Sequence, residues 1–392
     1  MREIVIASAA RTPIGSFHGS LSEIPATTLG SIAIADALRR VNLPAAEVDG
    51  VIMGNVLSAG LGQAPARQAA LAAGLPKGVP CLTINKVCGS GLKAVMLAAQ
   101  AIGAGDADVV VAGGMESMTN AQYLLEKARS GYRMGDGVLV DSLIKDGLWD
   151  VHNDFHMGAA AELCAGEFQV SRAQQDEFAL LSYERAQAAQ RRGDFKKEIV
   201  AVERPRRVGG VSVVEEDEEI GKLNRDKVGL LRPAFREQGT VTAANASSIS
   251  DGAAALVVMS AEAARKSGVK PLVRILAYSE FSREPEWFTM APVEAISSVL
   301  RKSGYDMNGI DLFEINEAFA AASIAINRQL GLNQDKVNVR GGAVALGHPI
   351  GASGARILTT LIHSLIDFEK QRGIASLCIG GGEAVALMVE KI

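Results

Sequence analysis

Four short segments carry side chains suited to acyl chemistry. In Asn85-Lys86-Val87-Cys88-Gly89-Ser90-Gly91, a cysteine follows the strand-like Leu82-Thr83-Ile84 and precedes a helical stretch from Leu92. A helix N-terminus favours thiolate over thiol, which makes a cysteine nucleophilic. The flanking glycines allow a substrate close to the backbone. The same placement also suits a small core cysteine, so the segment alone leaves both readings open. In Gly347-His348-Pro349-Ile350-Gly351, a histidine sits in a loop rich in Gly and Pro, where functional side chains concentrate, and a histidine beside a cysteine can take its proton. In Cys378-Ile379-Gly380-Gly381-Gly382, a cysteine ends a buried strand ahead of bare backbone. Those N–H groups suit an oxyanion hole and the thiol suits proton exchange with a carbon acid, although a buried cysteine before a tight turn reads the same way. Finally, Asn316-Glu317-Ala318-Phe319 follows the strand-like Leu312 to Ile315; Asn316 can orient a water or a carbonyl, or cap a helix.

These segments are positioned by a repeat. Val48-Asp49-Gly50-Val51-Ile52-Met53, Cys88-Gly89-Ser90-Gly91, Asp108-Val109-Val110-Val111 and Gly113-Gly114-Met115-Glu116 recur in order as Ile310-Asp311-Leu312-Phe313-Glu314-Ile315, Gly351-Ala352-Ser353-Gly354, Ala375-Ser376-Leu377-Cys378 and Gly380-Gly381-Gly382-Glu383. The repeat therefore pairs the Cys88 turn with the His348 turn. The probable strand Ala384 to Val389 closes the second copy, but its counterpart Ala254 to Met259 comes far after the first, so the stretch between is an insertion. The expected organisation is residues 1–118 with 249–270 as one half, 119–248 as the insertion and 271–392 as the other half. The insertion carries Arg191-Arg192, Lys196-Lys197, Arg206-Arg207 and the acidic run Glu215 to Glu219, charges expected on a solvated surface. Val/Ile-rich runs alternate with helical stretches at Thr28 to Arg40, Leu92 to Ala104 and Ala355 to Phe368, which predicts an α/β fold of two similar halves sharing one site where their loops meet.

The chain has 392 residues, 48% apolar and 21% charged, with net charge -4, the profile of a soluble globular protein and a poor one for nucleic acid. An anionic cofactor such as coenzyme A is not excluded, because local cations and helix N-termini set the field at a site. Four cysteines, Cys81, Cys88, Cys164 and Cys378, form no CxxC pair, so neither a disulfide framework nor a metal site is expected. No stretch is expected to reach the roughly 20 apolar residues of a membrane span. The start, Ile4-Val5-Ile6-Ala7 and then Arg11-Thr12-Pro13, shows no export pattern, which leaves a cytoplasmic location as the expectation.

Taken together, NKVCGSG, NEAF, GHPIGASGAR and CIGGG, from Asn85 to Gly382, resemble the thiolase family. The resemblance extends to Arg11-Thr12-Pro13-Ile14-Gly15, Gly113 to Met118 and Asn245 to Ala253, and covers essentially the whole chain. It implies two α/β halves with mixed sheets in an αβαβα layering and a loop domain over coenzyme A. It further implies that Cys88 becomes acylated, that His348 activates it, and that Cys378 is the acid/base toward the acetyl methyl group. Asn316 would position a water that forms one oxyanion hole with His348, and the N–H groups of Cys88 and Gly380 would form another. His156-Met157-Gly158 matches the short-chain, acetoacetyl-CoA branch, and Ser247 matches a contact to pantetheine. The implied reaction is reversible condensation of two acetyl-CoA to acetoacetyl-CoA and CoA, with CoA thioesters as substrates and no permanently bound cofactor. Phe288 stands where methionine is frequent, which bears on the acyl pocket. An arginine often found near position 221 is absent, and Lys222, Arg225 and Lys227 are the nearby cations. Similar proteins assemble as dimers or dimers of dimers, so a homotetramer is expected. Rival readings are a thiolase of broader chain length, a carrier-protein condensing enzyme, which would want a second histidine where Asn316 stands, and a CoA- or lipid-binding relative without catalysis.

Overall fold

The computed structural model describes residues 2–205 and 209–392; Arg206 and Arg207 lie outside the described residues. Five strands, β1 (Ile4–Arg11), β2 (Gly50–Gly54), β3 (Cys81–Ile84), β4 (Val109–Ser117) and β5 (Ser250–Ser260), belong to the first half of the repeat. Four more, β6 (Val273–Ser282), β7 (Leu312–Ile315), β8 (Arg372–Ile379) and β9 (Glu383–Lys391), belong to the second. Their order is β3-β2-β4-β5-β1-β6-β9-β8-β7. Within it β2 pairs parallel with β3 and β4, and β7 pairs parallel with β8. Where the first half has β3, the second has a single parallel bridge between Phe313 and Val337. The repeat thus extends from sequence to topology, with one strand reduced to a vestige.

The larger helices are α1 (Ala26–Arg40), α2 (Pro65–Ala72), α3 (Ser90–Ala104), α4 (Met157–Glu167), α5 (Arg172–Arg192), α6 (Ala291–Ser303), α7 (Ala320–Leu330) and α8 (Ile350–Asp367). Alternation along the strands assigns the layers. In β5, Ala253, Ala255, Val257 and Met259 share a core with Leu29, Ala33 and Ile34 of α1, whereas Ala254, Leu256 and Val258 share one with α3 and α8. In β9, Val385, Leu387 and Val389 join that same central core, and Ala384, Ala386 and Met388 join a third core with α6 and α7. The result is α1/α2, sheet, α3/α8, sheet, α6/α7, the αβαβα layering expected. The two sheets are joined at one seam, where Val5 pairs with Arg274 and Ile6 with Val273.

Two sequence expectations need correction. The segment Val87–Ala104 does have the length and apolarity of a spanning helix. It is apolar because α3 lies between two sheets and against α8, so most of its circumference faces core. The acidic run is not all solvated surface either. Arg11, fully buried, donates from Nε to Glu198 at 2.6 Å and from both Nη atoms to Asp217 at 2.7 and 2.8 Å. A buried guanidinium requires such anions, so Asp217 is drawn inward and ties the insertion to the end of β1. Burial works against ionisation of Glu218, yet the amides of Ser20 and Ser16 hold its carboxyl down to about 2. Arg191, Arg192, Lys196 and Lys197 are exposed, as expected.

The central helices approach each other backbone to backbone. A Cβ on Gly91 would lie 2.7 Å from the Ala355 amide, one on Gly354 2.4 Å from the Leu92 amide, and one on Gly114 2.0 Å from the Gly351 carbonyl. These contacts bring the N-terminal ends of α3 and α8, and the turns leading into them, to one place.

Candidate active site

Cys88 sits two residues before α3 in a turn whose preceding residue, Val87, has φ of 44°. Left-handed backbone is costly for a β-branched residue, and surroundings must impose it. Ser90 does so: its hydroxyl accepts from the Lys86 amide at 2.8 Å and donates to the Val87 carbonyl at 2.7 Å. The Cys88 thiol lines a cavity and is half-buried. Burial pushes it up to about 11, against the N–H groups of Gly380 and of Cys88 itself, with nearby Glu116 adding to the rise. Burial thus opposes the thiolate that the helix end and the nearby N–H groups favour, and a neighbouring base would assist the nucleophile.

A candidate base stands in the matching turn of the second half. His348 is 7% exposed, and its Nδ1 lies 2.6 Å from the Ser353 hydroxyl. That hydroxyl donates to the Pro349 carbonyl at 2.9 Å, so it accepts from Nδ1–H and the network leaves Nε2 with the free lone pair. Burial, and then the Arg356 cation, push the imidazole down to about 3. Asn316 Nδ2 lies 3.4 Å from Nε2. The amide is oriented from behind by Arg356, whose Nη2 donates to Asn316 Oδ1 at 3.5 Å.

Cys378, at the end of β8, is 3% exposed. Burial and the proximity of Cys88 keep its thiol protonated far above the ordinary range. The chain then turns through Gly381 and Gly382, both at φ of 91°, a left-handed path that glycine follows without strain. The Gly380 N–H acts on the Cys88 sulfur in the direction that favours its thiolate.

Cys88, His348, Cys378 and Gly380 line one cavity of about 370 Å³, together with His156, Met157, Ser247 and Phe288. Of the residues expected at the site, only Asn316 is off the lining, behind His348. His156 Nδ1 accepts from the Gly158 amide at 3.0 Å, which caps α4 and puts the ring proton on Nε2. Its ring stacks on Phe235 at 4.8 Å, and Phe235 meets Phe319 edge-on at 6.3 Å. Ser247 donates from its hydroxyl to the Ala318 carbonyl at 3.1 Å, fastening the insertion's end to the NEAF segment. Lys222 pairs with Glu218 at 3.1 Å and Glu219 at 3.4 Å, and Arg225 with Glu184 at 2.6 Å. Neither these nor Lys227 line the cavity.

Sequence reasoning missed several lining residues, among them Phe235, Leu148 and Ile144. Ile144 and Leu148 come from a single π-helical turn, Leu143–Leu148, and Phe235 from irregular chain, segments too short or too irregular for periodicity to mark an inward side chain. The role of Ser353 could have been found, since it occupies the repeat position of Ser90.

The sequence matches the family description "Thiolase, N-terminal domain" over residues 4–262 and "Thiolase, C-terminal domain" over 269–391. It is 54% identical to "Acetyl-CoA acetyltransferase 2" of Arabidopsis thaliana over 391 residues, covering 99% of this chain and 97% of that protein. Against "Acetyl-CoA acetyltransferase" of Cupriavidus necator the identity is 53% over 392 residues and all of both chains. Against "Acetyl-CoA acetyltransferase" of Schizosaccharomyces pombe it is 50% over 391 residues, covering 100% and 99%. With both halves matched almost end to end, and with loops from both supplying one cavity, this chain belongs to the thiolase family.

Proposed function

We propose that the protein is an acetyl-CoA C-acetyltransferase, which interconverts acetoacetyl-CoA plus CoA with two acetyl-CoA by ping-pong transfer through acetyl-Cys88. The observation that carries this reading is the convergence of two cysteines and a buried histidine, Cys88, Cys378 and His348, on one apolar cavity. Full-length relatives named for this activity, at 50–54% identity, support it.

In the cleavage direction, Cys88 Sγ attacks the 3-keto carbon of acetoacetyl-CoA as its proton passes to His348 Nε2. The N–H groups of Cys88 and Gly380 receive the charge on the ketone oxygen. The carbon–carbon bond then breaks, and the departing acetyl-CoA enolate takes a proton from Cys378, which the cavity keeps as a thiol. Enolate charge falls on the thioester oxygen, toward the new Nε2–H of His348 and a water held by Asn316. Free CoA then gives its thiol proton to the Cys378 thiolate and attacks acetyl-Cys88, while the leaving Cys88 sulfur recovers the proton from His348. Protons and bonds balance, and condensation is the same path reversed.

Phe288, Phe319 and Met157 pack in one apolar cluster with Cys378, which suits a two-carbon acyl group beside the second thiol. In the same reading, residues 119–248 cover the CoA arm, with Ser247 and His156 facing pantetheine and thioester. A homotetramer accords with the family resemblance, and sedimentation tests it. For the reaction itself, intact-mass measurement after mixing with acetoacetyl-CoA should show one added acetyl group in the wild type and none in Cys88→Ser. No adduct on folded wild type would refute the reading. Rates on six- to ten-carbon substrates equal to those on acetoacetyl-CoA would refute its short-chain part.

A further inference from the structure

The two halves each contain a Gly-Gly-X-Glu run, ending at Glu116 in one and Glu383 in the other. Each glutamate makes one contact across the repeat. Glu116 is fully buried, and its Oε1 accepts from Asn55 Nδ2 at 2.9 Å and the Leu57 amide at 3.3 Å. Its Oε2 accepts from the Val56 amide at 3.0 Å and, across the boundary, from the Gly351 amide at 3.0 Å. Gly351 lies three residues after His348 in the first turn of α8, where a carboxylate also meets the positive end of the helix. A Cβ on Gly351 would stand 2.6 Å from Glu116 Oε2, so the fit leaves no slack. Glu383 mirrors this: its Oε2 is 2.8 Å from the Nζ of Lys86, two residues before Cys88, and its Oε1 accepts from Ser282 at 3.1 Å.

We infer that Glu116 and Glu383 are crossed positioning residues: the first half's glutamate seats the second half's His348 turn, and the second half's glutamate seats the first half's Cys88 turn. Neither touches substrate. Each fixes from the opposite side one member of the Cys88–His348 pair, whose proton transfer depends on their separation. The two locks differ in environment. Glu116 has four donors in the interior, whereas the Lys86–Glu383 pair is partly solvated, with side chains 19% and 34% exposed and Glu280 3.4 Å from the same ammonium.

The inference rests on the proposed acetyl transfer, and the two can fail separately: wild type that forms no acetyl-Cys88 sinks the reaction, whereas active wild type matched by its variants sinks only this. The experiment compares Glu116→Gln, Glu383→Gln and Glu383→Asp for single-turnover acetylation of Cys88 by acetyl-CoA, for KM, and for Tm, at a temperature where every variant is fully folded. Glu116→Gln places an N–H where two donors already point, and its acetylation should slow by about tenfold to a hundredfold, the scale of ångström misplacement, with KM within about twofold. Glu383→Gln should slow it by about three- to tenfold, with most of the rate recovered in Glu383→Asp. High salt should bring wild type toward the Glu383→Gln rate. Should Glu116→Gln fail to fold, the Glu383 pair of variants decides. Folded variants with wild-type acetylation rates, a loss confined to KM, or a Glu383→Asp no faster than Glu383→Gln would overturn the inference.

Discussion

Ser90 and Ser353 occupy the same repeat position, each fully buried in the first turn of a central helix, and each holds the turn before it. Ser90 holds only backbone, the Lys86 amide and the Val87 carbonyl. Ser353 donates its hydroxyl proton to one backbone carbonyl and offers a lone pair to the ring of His348. Cys88 likewise corresponds to Gly351, which carries no side chain. The two halves therefore share a frame for presenting a turn, and the chemistry differs by what one or two sockets in that frame contain. In the proposed reaction one half contributes the nucleophile, and the other contributes base, amide and second thiol.

The largest test of that division is kinetic. Cys88→Ser should lose acetylation and turnover by roughly 10³-fold or more, whereas Cys378→Ala should lose turnover to a similar extent yet keep acetylation by acetyl-CoA within about tenfold. Rapid-quench mass spectrometry of the two variants checks this; parallel loss of both steps would dissolve the distinction between the halves. A second test concerns the resting charge of the nucleophile. With the Cys88 thiol raised to about 11, the thiolate fraction grows tenfold per pH unit, so alkylation by iodoacetamide should rise about a hundredfold from pH 7 to pH 9. A plateau by pH 8 would mean that the helix end, not burial, governs the first half.

Part of this comparison was visible in the sequence. Cys88, His348 and Cys378 stand in glycine-rich turns and Asn316 directly follows an apolar strand, so their order along the chain pointed to a shared site. Ionisation was not visible, because it depends on what covers Cys88 and not on what precedes it. Asp217 was misread for the same reason: an acidic run looks solvated until the fold brings Arg11 beneath it. Helix α5 lacks a clean apolar stripe because polar Gln175 and Ser182 share its buried face with Phe178, Ala179, Tyr183, Ala186 and Ala189. Its readable signal was the cap, in which Ser171 and Gln174 exchange hydrogen bonds. Phe235 had no such signal, since it reaches the cavity from irregular chain.

Smaller effects sharpen the contrast further. Ser353→Ala frees the His348 ring to turn or change tautomer and should slow acetylation about tenfold. Ser90→Ala should instead show mainly as lost stability, about 1–2 kcal/mol for an unmet buried amide, measured by denaturant unfolding. The reverse assignment would break the comparison. The smallest effect lies at the insertion's anchor. Because the folded-state pKa of Glu218 is lowered to about 2, its contribution is present above the ordinary carboxylate range and fades as pH falls through about 4.5 toward 2. Allowing for its partial exposure, Glu218→Gln should cost about 1 kcal/mol at pH 7 and nothing near pH 2, as read from unfolding at each pH.

The glycine contacts of α8 with α3 and β4 bear on how the enzyme meets heat. The Cys88 and His348 turns are spaced by peptide resting on peptide at Gly91, Gly114 and Gly354, and peptide planes have no rotamers to exchange. Side chains in the outer layers can loosen with temperature while this spacing holds, so warming should not blunt catalysis by degrees. Reactive geometry and tertiary structure share one joint and are lost together.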